Sequence, residues 1–381
     1  MGLTTSRTAT RISGLAALAA LGALSRAEQI DVPLTIAAGV PLAKVTVDGK
    51  AECWAVVDTG ASVTVISPAA FGMTPSPEES PKDGKPHILA KKQPTLKIGD
   101  YSPKTVTALV ADLPAMSLTL GGRHIQMLLG RDVLGQCAFG IDLTRASMTF
   151  FRGEKIDDAT IREWLAKPGP VAHQAIAGQG DVMELPMKLI GHRGQPASES
   201  VWAFDSWLGP RQEAWLVFDT GNNRLALSQR LEEGADWKIT NTAAVETPMG
   251  TVQRKFVTVP RLIVGSLLLR NADGWLQGYG PPDDGYVGPT GLGFKRFLLD
   301  PQNLVLHVPN GNNDIPWLRA PPRGSALFLF KDGTTVVQNG PCEYTVEDAS
   351  KLEDVFEGPA AKVGYLEHEA GGKTSRTYTL R

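Results

Sequence analysis

Only three cysteines occur in 381 residues, too few to staple a fold, and none stands in a Cys-x-x-Cys pair suited to zinc or thiol exchange. Cys53 and Cys137 could pair in an oxidising compartment and leave Cys342 free, or they could be buried thiols. The six histidines are scattered and form no His-Glu-x-x-His, so neither a metal nor a cofactor is expected. Charge of one sign is also missing. A formal net charge of −2 gives no basis for a nucleic-acid partner or for attraction to a membrane surface. Long apolar runs are absent too. The stretch Ile12 to Leu24, at about 1.5 Å per residue, falls short of a bilayer core of about 30 Å. Arg7 and Arg11 precede that stretch and Ser25-Arg26-Ala27 follows it, a small-x-small pattern that reads as a cleaved signal peptide over 1–27. No twin-Arg pair and no lipid-acceptor cysteine accompanies it. The expectation is an exported protein, periplasmic or secreted.

Gly and Pro, by contrast, are plentiful, with 40 and 27 copies, as suits many short strands joined by turns. At 42% hydrophobic and 20% charged, the composition is that of a globular chain, and the length allows more than one core. An internal repeat organises it. CWAVVDTGASVTVIS begins at Cys53 and AWLVFDTGNNRLALS at Ala214, so Asp219 lies 161 residues after Asp58 (219 − 58). Both Asp-Thr-Gly triplets sit on turns between apolar runs, as expected for strands buried on both faces. A second pair follows, LKIG (96–99) and LIVG (262–265), each a strand ending in a turn glycine. A third pair sets Gly130, Leu134, Gly135, Phe139 and Asp142 in register with Gly288, Leu292, Gly293, Phe297 and Asp300. Three matches in one order describe a duplicated domain. Between the halves, residues 156–170 read as a short helix ended by Pro168 and Pro170.

The paired motifs VVDTGAS with LLGRDVL, and VFDTGNN with YVGPTGLGF, resemble the aspartic protease clan of two-lobed pepsin-like and retropepsin-like enzymes. The resemblance covers roughly residues 30–310. It implies an all-β fold of two pseudo-symmetric lobes, over residues 28–155 and 156–320, with a cleft between them inside one chain. It further implies an aspartic endopeptidase whose catalytic residues are Asp58 and Asp219 and whose partner is an extended polypeptide substrate. One carboxylate cannot deprotonate a water and protonate a leaving amine in the same step. Two held face to face share a single proton, because like charges at contact distance repel. By the same resemblance Thr59 and Thr220 bond across the lobes, and Gly60 and Gly221 let backbone N–H groups approach the carboxylates. Ala61 and Asn222 flank the pair. Pepsin-like chains usually carry a hydroxyl there; its loss predicts activity reaching toward neutral pH. Gly130, Gly288, Leu134 and Leu292 are expected to pack beneath each Asp.

Residues 68–94, the first flap region, contain no Tyr or Trp; its tip is expected at Asp83-Gly84 and the second flap's at Pro248-Met249-Gly250. The expected cut at Ala27 leaves no room for a long basic prosegment. Residues 321–381 read differently, as a hairpin around Asp332-Gly333, a helix carrying Ala349, Leu352, Val355 and Phe356, and a hairpin around Gly371-Gly372. That order resembles the second half of a PDZ domain, degenerate here, giving a small α+β module at the C-terminus. The Gly-Leu-Gly-Phe string at Gly291–Phe294 belongs to the second-lobe register instead. An alternative from another class is a catalytically inactive, protease-like binding or assembly protein, for which Asn222-Asn223 and the absent flap aromatic speak.

Overall fold

The apolar runs around each Asp-Thr-Gly are short and rich in β-branched residues, and they fold as strands rather than helices. The computed structural model describes residues 27–73, 87–112, 119–120, 122–153, 155–166, 182–191, 199–208, 212–232, 237–247, 250–265, 267–278, 284–309, 326–329, 335–340, 343–346, 365–370 and 373–379. The first half comprises β1 (Glu28–Ala37), β2 (Val40–Val47), β3 (Ala51–Val57), β4 (Val65–Ile66), β5 (His87–Lys92), β6 (Leu96–Ile98), β7 (Ala108–Asp112), β8 (Thr119–Leu120), β9 (Arg123–Leu129), helix α1 (Arg131–Leu134), β10 (Ala138–Asp142), β11 (Ser147–Arg152) and helix α2 (Asp158–Ala166). The second half comprises β12 (Val182–Pro186), β13 (Lys188–Ile190), β14 (Val201–Leu208), β15 (Gln212–Phe218), β16 (Leu225–Ser228), β17 (Lys238–Thr247), β18 (Gly250–Val264), β19 (Leu267–Gln277), β20 (Gly285–Val287), β21 (Arg296–Asp300) and β22 (Val305–Pro309).

The duplication seen in sequence recurs in the strand pairing. The strand before the first Asp, β3, runs parallel to β9, and its counterpart β15 runs parallel to β20. The strand after it, β4, is antiparallel to β9 and parallel to β7; β16 is antiparallel to β20 and parallel to β19. Each half therefore threads its Asp-Thr-Gly turn between two strands of the same sheet. LKIG and LIVG end β6 and β18, which pair with β2 and β14 in matching fashion. The fold is all-β, and its two halves share one pattern of strand pairing.

A sheet contributed by both halves joins them, in the order β12-β22-β21-β10-β11-β1. Its centre is the antiparallel pair β10–β21, with Phe139 opposite Leu299 and Ile141 opposite Phe297. Helix α2 lies on this sheet through Ile161, Trp164 and Leu165. Asp157 caps its start, accepting the Thr160 N–H at 2.7 Å. The Trp164 ring lies against Gly140, where a Cβ would come within 2.5 Å of it. The Trp164 indole N–H donates to Thr149 Oγ1 at 3.0 Å. The helix expected within 156–170 is thus present, while Pro168 and Pro170 lie outside the described residues.

Asp142 and Asp300, the recurring acids of the third repeat, cap equivalent turns. Asp142 Oδ1 accepts the N–H groups of Thr144 and Arg145, and Asp300 Oδ1 accepts those of Gln302 and Asn303. Each turn ends in a left-handed residue, Ala146 at φ 50° and Leu304 at φ 54°. Asp142 has a further partner: the buried Arg296 guanidinium bonds its Oδ2 through Nε at 2.9 Å and also through Nη2, joining the two halves by a buried ion pair.

Cys53 and Cys137 are buried free thiols, so the pairing alternative is not realised. Of residues 321–381 the structure describes five antiparallel strands, β23 (Ala326–Leu329), β24 (Thr335–Gly340), β25 (Glu343–Val346), β26 (Tyr365–Ala370) and β27 (Lys373–Thr379), in the order β23-β24-β25-β27-β26. The two expected hairpins correspond to β23–β24 and β26–β27. The expected helix with Ala349, Leu352, Val355 and Phe356 lies outside the described residues. Among the described residues no helix is long and apolar enough to cross a membrane.

Burial pushes the Asp142 carboxyl up, but bonds from Thr144 and Arg296 outweigh it and hold the pKa below the ordinary value. A depressed folded value gives stability that is complete above the unfolded pKa and lost as pH falls through the folded one. Arg296→Ala leaves Asp142 buried with only the exposed Arg145, 3.8 Å away, as a cation and is expected to cost about 3 kcal/mol in chemical denaturation near neutral pH. The deficit should shrink on acidification below about pH 4, where the orphaned carboxyl can be protonated.

Candidate active site

Val57 and Phe218 end their strands on the lobe interface, and the chain turns at Asp58 and Asp219. The turns are built by the acids themselves. Asp58 Oδ1 accepts Gly60 N–H at 2.9 Å and Ala61 N–H at 3.1 Å, and Asp219 Oδ1 accepts Gly221 N–H at 2.8 Å. Strand pairing fixes where each turn emerges, because Asp58 N–H donates to Leu129 O and Asp219 N–H to Val287 O.

Thr59 and Thr220 hold the two turns together. Thr59 N–H donates to Thr220 Oγ1 at 3.1 Å, and Thr220 N–H donates to Thr59 Oγ1 at 2.9 Å. Each hydroxyl then donates onward across the interface, Thr59 Oγ1 to Phe218 O at 2.7 Å and Thr220 Oγ1 to Val57 O at 2.5 Å. Both threonines are fully buried. Every polar atom of the crossing has a partner, which burial requires.

The glycines do more than admit N–H groups. A Cβ on Gly60 would stand 2.7 Å from Asp219 Cγ, and one on Gly221 would stand 3.0 Å from Asp58 Cγ. Each glycine lies against the acid of the opposite half, so the absent side chain is the space that lets the carboxyls meet. Asp58 and Asp219 hydrogen-bond to each other through their side chains. Burial raises the pKa of both, and the Asp58 charge pushes Asp219 up further. Both shifts favour the protonated form relative to an ordinary carboxyl. Among the described residues no cation pairs with either acid, and no group of metal-ligating side chains is present.

The remaining expected residues also find places. Ala61 gives Asp58 a backbone donor but no hydroxyl. Asn222 turns away from Asp219, and its Oδ1 accepts Arg224 N–H at 3.2 Å. A Cβ on Gly130 or Gly288 would strike backbone of the segments 63–64 and 222–223, and Leu134 and Leu292 are buried beneath. The second flap corresponds to the β17–β18 hairpin, in which Thr247 pairs with Gly250; Pro248 and Met249 lie outside the described residues, as does the expected first tip at Asp83-Gly84. Three neighbours have contacts that the sequence reading did not foresee. Thr64 Oγ1 donates to Asp132 Oδ1 at 2.7 Å and accepts Gly130 N–H at 3.2 Å. Arg131 and Asn223 reach the opposite half. Their only signal in the sequence was adjacency to matched motifs.

Residues 43–133 match the family profile described as Aspartyl protease. The match spans Asp58 and the strands on either side of it. Among solved structures, the aspartic proteinase from Irpex lacteus is similar at 13% identity, covering 75% of this chain and 99% of that one, with a TM-score of 0.37. No curated protein sequence matches.

Thr59→Ala removes a hydroxyl on which Thr220 N–H and Phe218 O depend. Thermal or chemical denaturation is expected to show a loss of about 1–3 kcal/mol, from buried groups left unpaired. Thr59→Ser, which keeps both bonds, should lose much less; equal losses would mean the methyl packing matters more than the crossing.

Proposed function

We propose that this chain is an aspartic-type endopeptidase. The observation that carries the proposal is the meeting of two half-buried carboxyls, Asp58 and Asp219, one from each lobe, each lying against the other's turn glycine and hydrogen-bonded to each other. The fold and the family profile support a protease-type function, and the pair supplies the chemistry.

Each acid accepts two backbone N–H groups, Gly60 and Ala61 for Asp58 and Gly221 and Asn222 for Asp219, and the shared proton is assigned to Asp219, which the Asp58 charge pushes up. Asp58 then takes a proton from a water lying between the carboxyls as that water's oxygen attacks the scissile carbonyl carbon. Asp219 gives its proton to the carbonyl oxygen, so the tetrahedral intermediate is a neutral diol. Collapse returns one hydroxyl proton to Asp219. The proton on Asp58 passes to the leaving nitrogen as the C–N bond breaks. Both acids end as they began.

The substrate is an unfolded or extended polypeptide, bound by main-chain hydrogen bonds along the flap strands with side chains in apolar recesses. The leader read in the sequence would deliver this activity outside the cytoplasm. Asn222 and Asn223, which had favoured an inactive relative, do not obstruct the pair. One caps its own loop, and the other bonds away from the acids.

Cleavage of an unstructured protein by wild type, Asp58→Asn and Asp219→Asn tests the proposal. Wild type should be sensitive to a pepstatin-type inhibitor, and each variant should lose at least about 10²–10⁴-fold in rate. Equal cleavage by all three would overturn it. Neither Ala61 nor Asn222 donates a side-chain bond to the carboxylates, so activity should persist well above pH 4 (the ordinary carboxylate range is about 3.9–4.3). A second outcome concerns stability. A raised folded pKa stabilises below the unfolded value, and that contribution is lost as pH rises toward the folded one. Asp219→Asn should therefore gain stability over wild type at neutral pH, and the gain should vanish in acid.

A further inference from the structure

Beyond the threonine crossing, each catalytic loop is tied to the opposite half by a different device. Asn223, four residues after Asp219, donates from Nδ2 to Ala38 O at 2.6 Å. Ala38 and Gly39 form the tip between β1 and β2, and both have left-handed backbone, at φ 50° and φ 82°. Gly39 lies so close to the second lobe that a Cβ would stand 3.1 Å from Asn223 Cβ and 3.3 Å from Thr290 Oγ1. The tip of the first lobe is thus seated on the loop that carries Asp219.

The reverse contact exists as well. Arg131 N–H donates to Ala61 O at 2.8 Å, holding the loop that carries Asp58. The same residue's Nε donates to Ser200 O at 2.5 Å, just before β14 and at the end of the second lobe's corresponding β13–β14 connection. Lobe one therefore reaches loop two through Asn223, and lobe two reaches loop one through Arg131. The residues are unrelated, yet the connections exchange under the same pseudo-twofold as the strands.

We infer that Asn223 and Arg131 are positioning residues of a reciprocal clamp, by which the first hairpin of each lobe fixes the catalytic loop of the other. The inference rests on the endopeptidase reading for its kinetic consequence but not for its physical one. The groups acting on the pair are the two carboxyls themselves and the N–H groups of Gly60, Ala61, Gly221 and Asn222. These donors stabilise the ionised form, and they do so only while the loops hold them in line. A loosened loop costs donor alignment, and the first proton then leaves the pair at higher pH.

The test is a ¹³C NMR titration of aspartate-labelled full-length protein, with the kcat–pH profile measured on the same samples. In Asn223→Ala the lower apparent pKa of the pair, and the acid limb of kcat, should rise by about one unit. The kcat value itself should fall about tenfold while KM stays within about twofold, the mark of misplaced groups and not of lost binding. Gly39→Ala, which attacks the same contact from the other lobe, should reproduce the shift. So should Arg131→Met, which removes the side-chain bond to Ser200 O beside the first loop, whereas Asn223→Gln, which keeps a donor, should recover at least part of it. Asn303→Ala removes an amide donor to Asp300, distant in the chain from both loops, and should lower stability without moving the titration. A pair that titrates as in wild type in both Asn223→Ala and Gly39→Ala would overturn the clamp. Wild type that shares a proton yet cleaves nothing would instead overturn the endopeptidase reading, and the NMR shifts would still decide the clamp.

Discussion

Thr59 and Thr220 exchange backbone N–H donors through their hydroxyl oxygens, and the site takes its register from that crossing. It is a short-range constraint with long reach. Four hydrogen bonds lie in a fully buried setting, where an unpaired group would cost about 1–3 kcal/mol, so the lobes cannot slide without breaking several at once. Each threonine is followed by a glycine lying against the other lobe's acid. Fixing the threonines therefore fixes the carboxyls.

Burying two like charges in contact is unfavourable unless the pair gives up one of them. The fold meets this in three ways. Sharing a proton removes the repulsion, N–H donors from the tight turns stabilise the remaining charge, and hydrophobic strands on both sides keep other charged groups away. Phe218 illustrates the last point. Immediately before Asp219, its ring packs edge-to-face on Phe204 and Phe297, at 5.7 and 5.3 Å, sealing the turn from beneath. Two arginines near the halves' junction are employed elsewhere. Arg296 is committed to Asp142 in the sheet that joins the halves, and Arg131 to the loop and connection it bridges.

Much of this was legible in sequence because duplication makes periodic signals check one another. Asp-Thr-Gly alone is a turn; in two copies, between apolar runs and followed by matching glycines, it marks a duplicated domain, and the direction of each strand's neighbours came from the coordinates. Asp142 and Asp300 were visible as a repeated acid, although their work as turn caps ahead of Ala146 and Leu304 required coordinates. The reach of Asn223 was not legible. A carboxamide bonding a backbone oxygen 185 residues away leaves no pattern, since any backbone carbonyl can serve as acceptor. Arg131 was hidden for the same reason. Gly60 was assigned the right neighbourhood for an incomplete reason: the space it leaves serves the opposing acid as well as its own N–H.

The central claim is a single proton held between Asp58 and Asp219, and neutron crystallography of the protein near neutral pH addresses it most directly. One deuteron in the space between the two carboxyls, with Gly60, Ala61 and Gly221 N–H groups directed at them, is the predicted result. Two bare carboxylates turned apart, or two fully protonated acids, would contradict it.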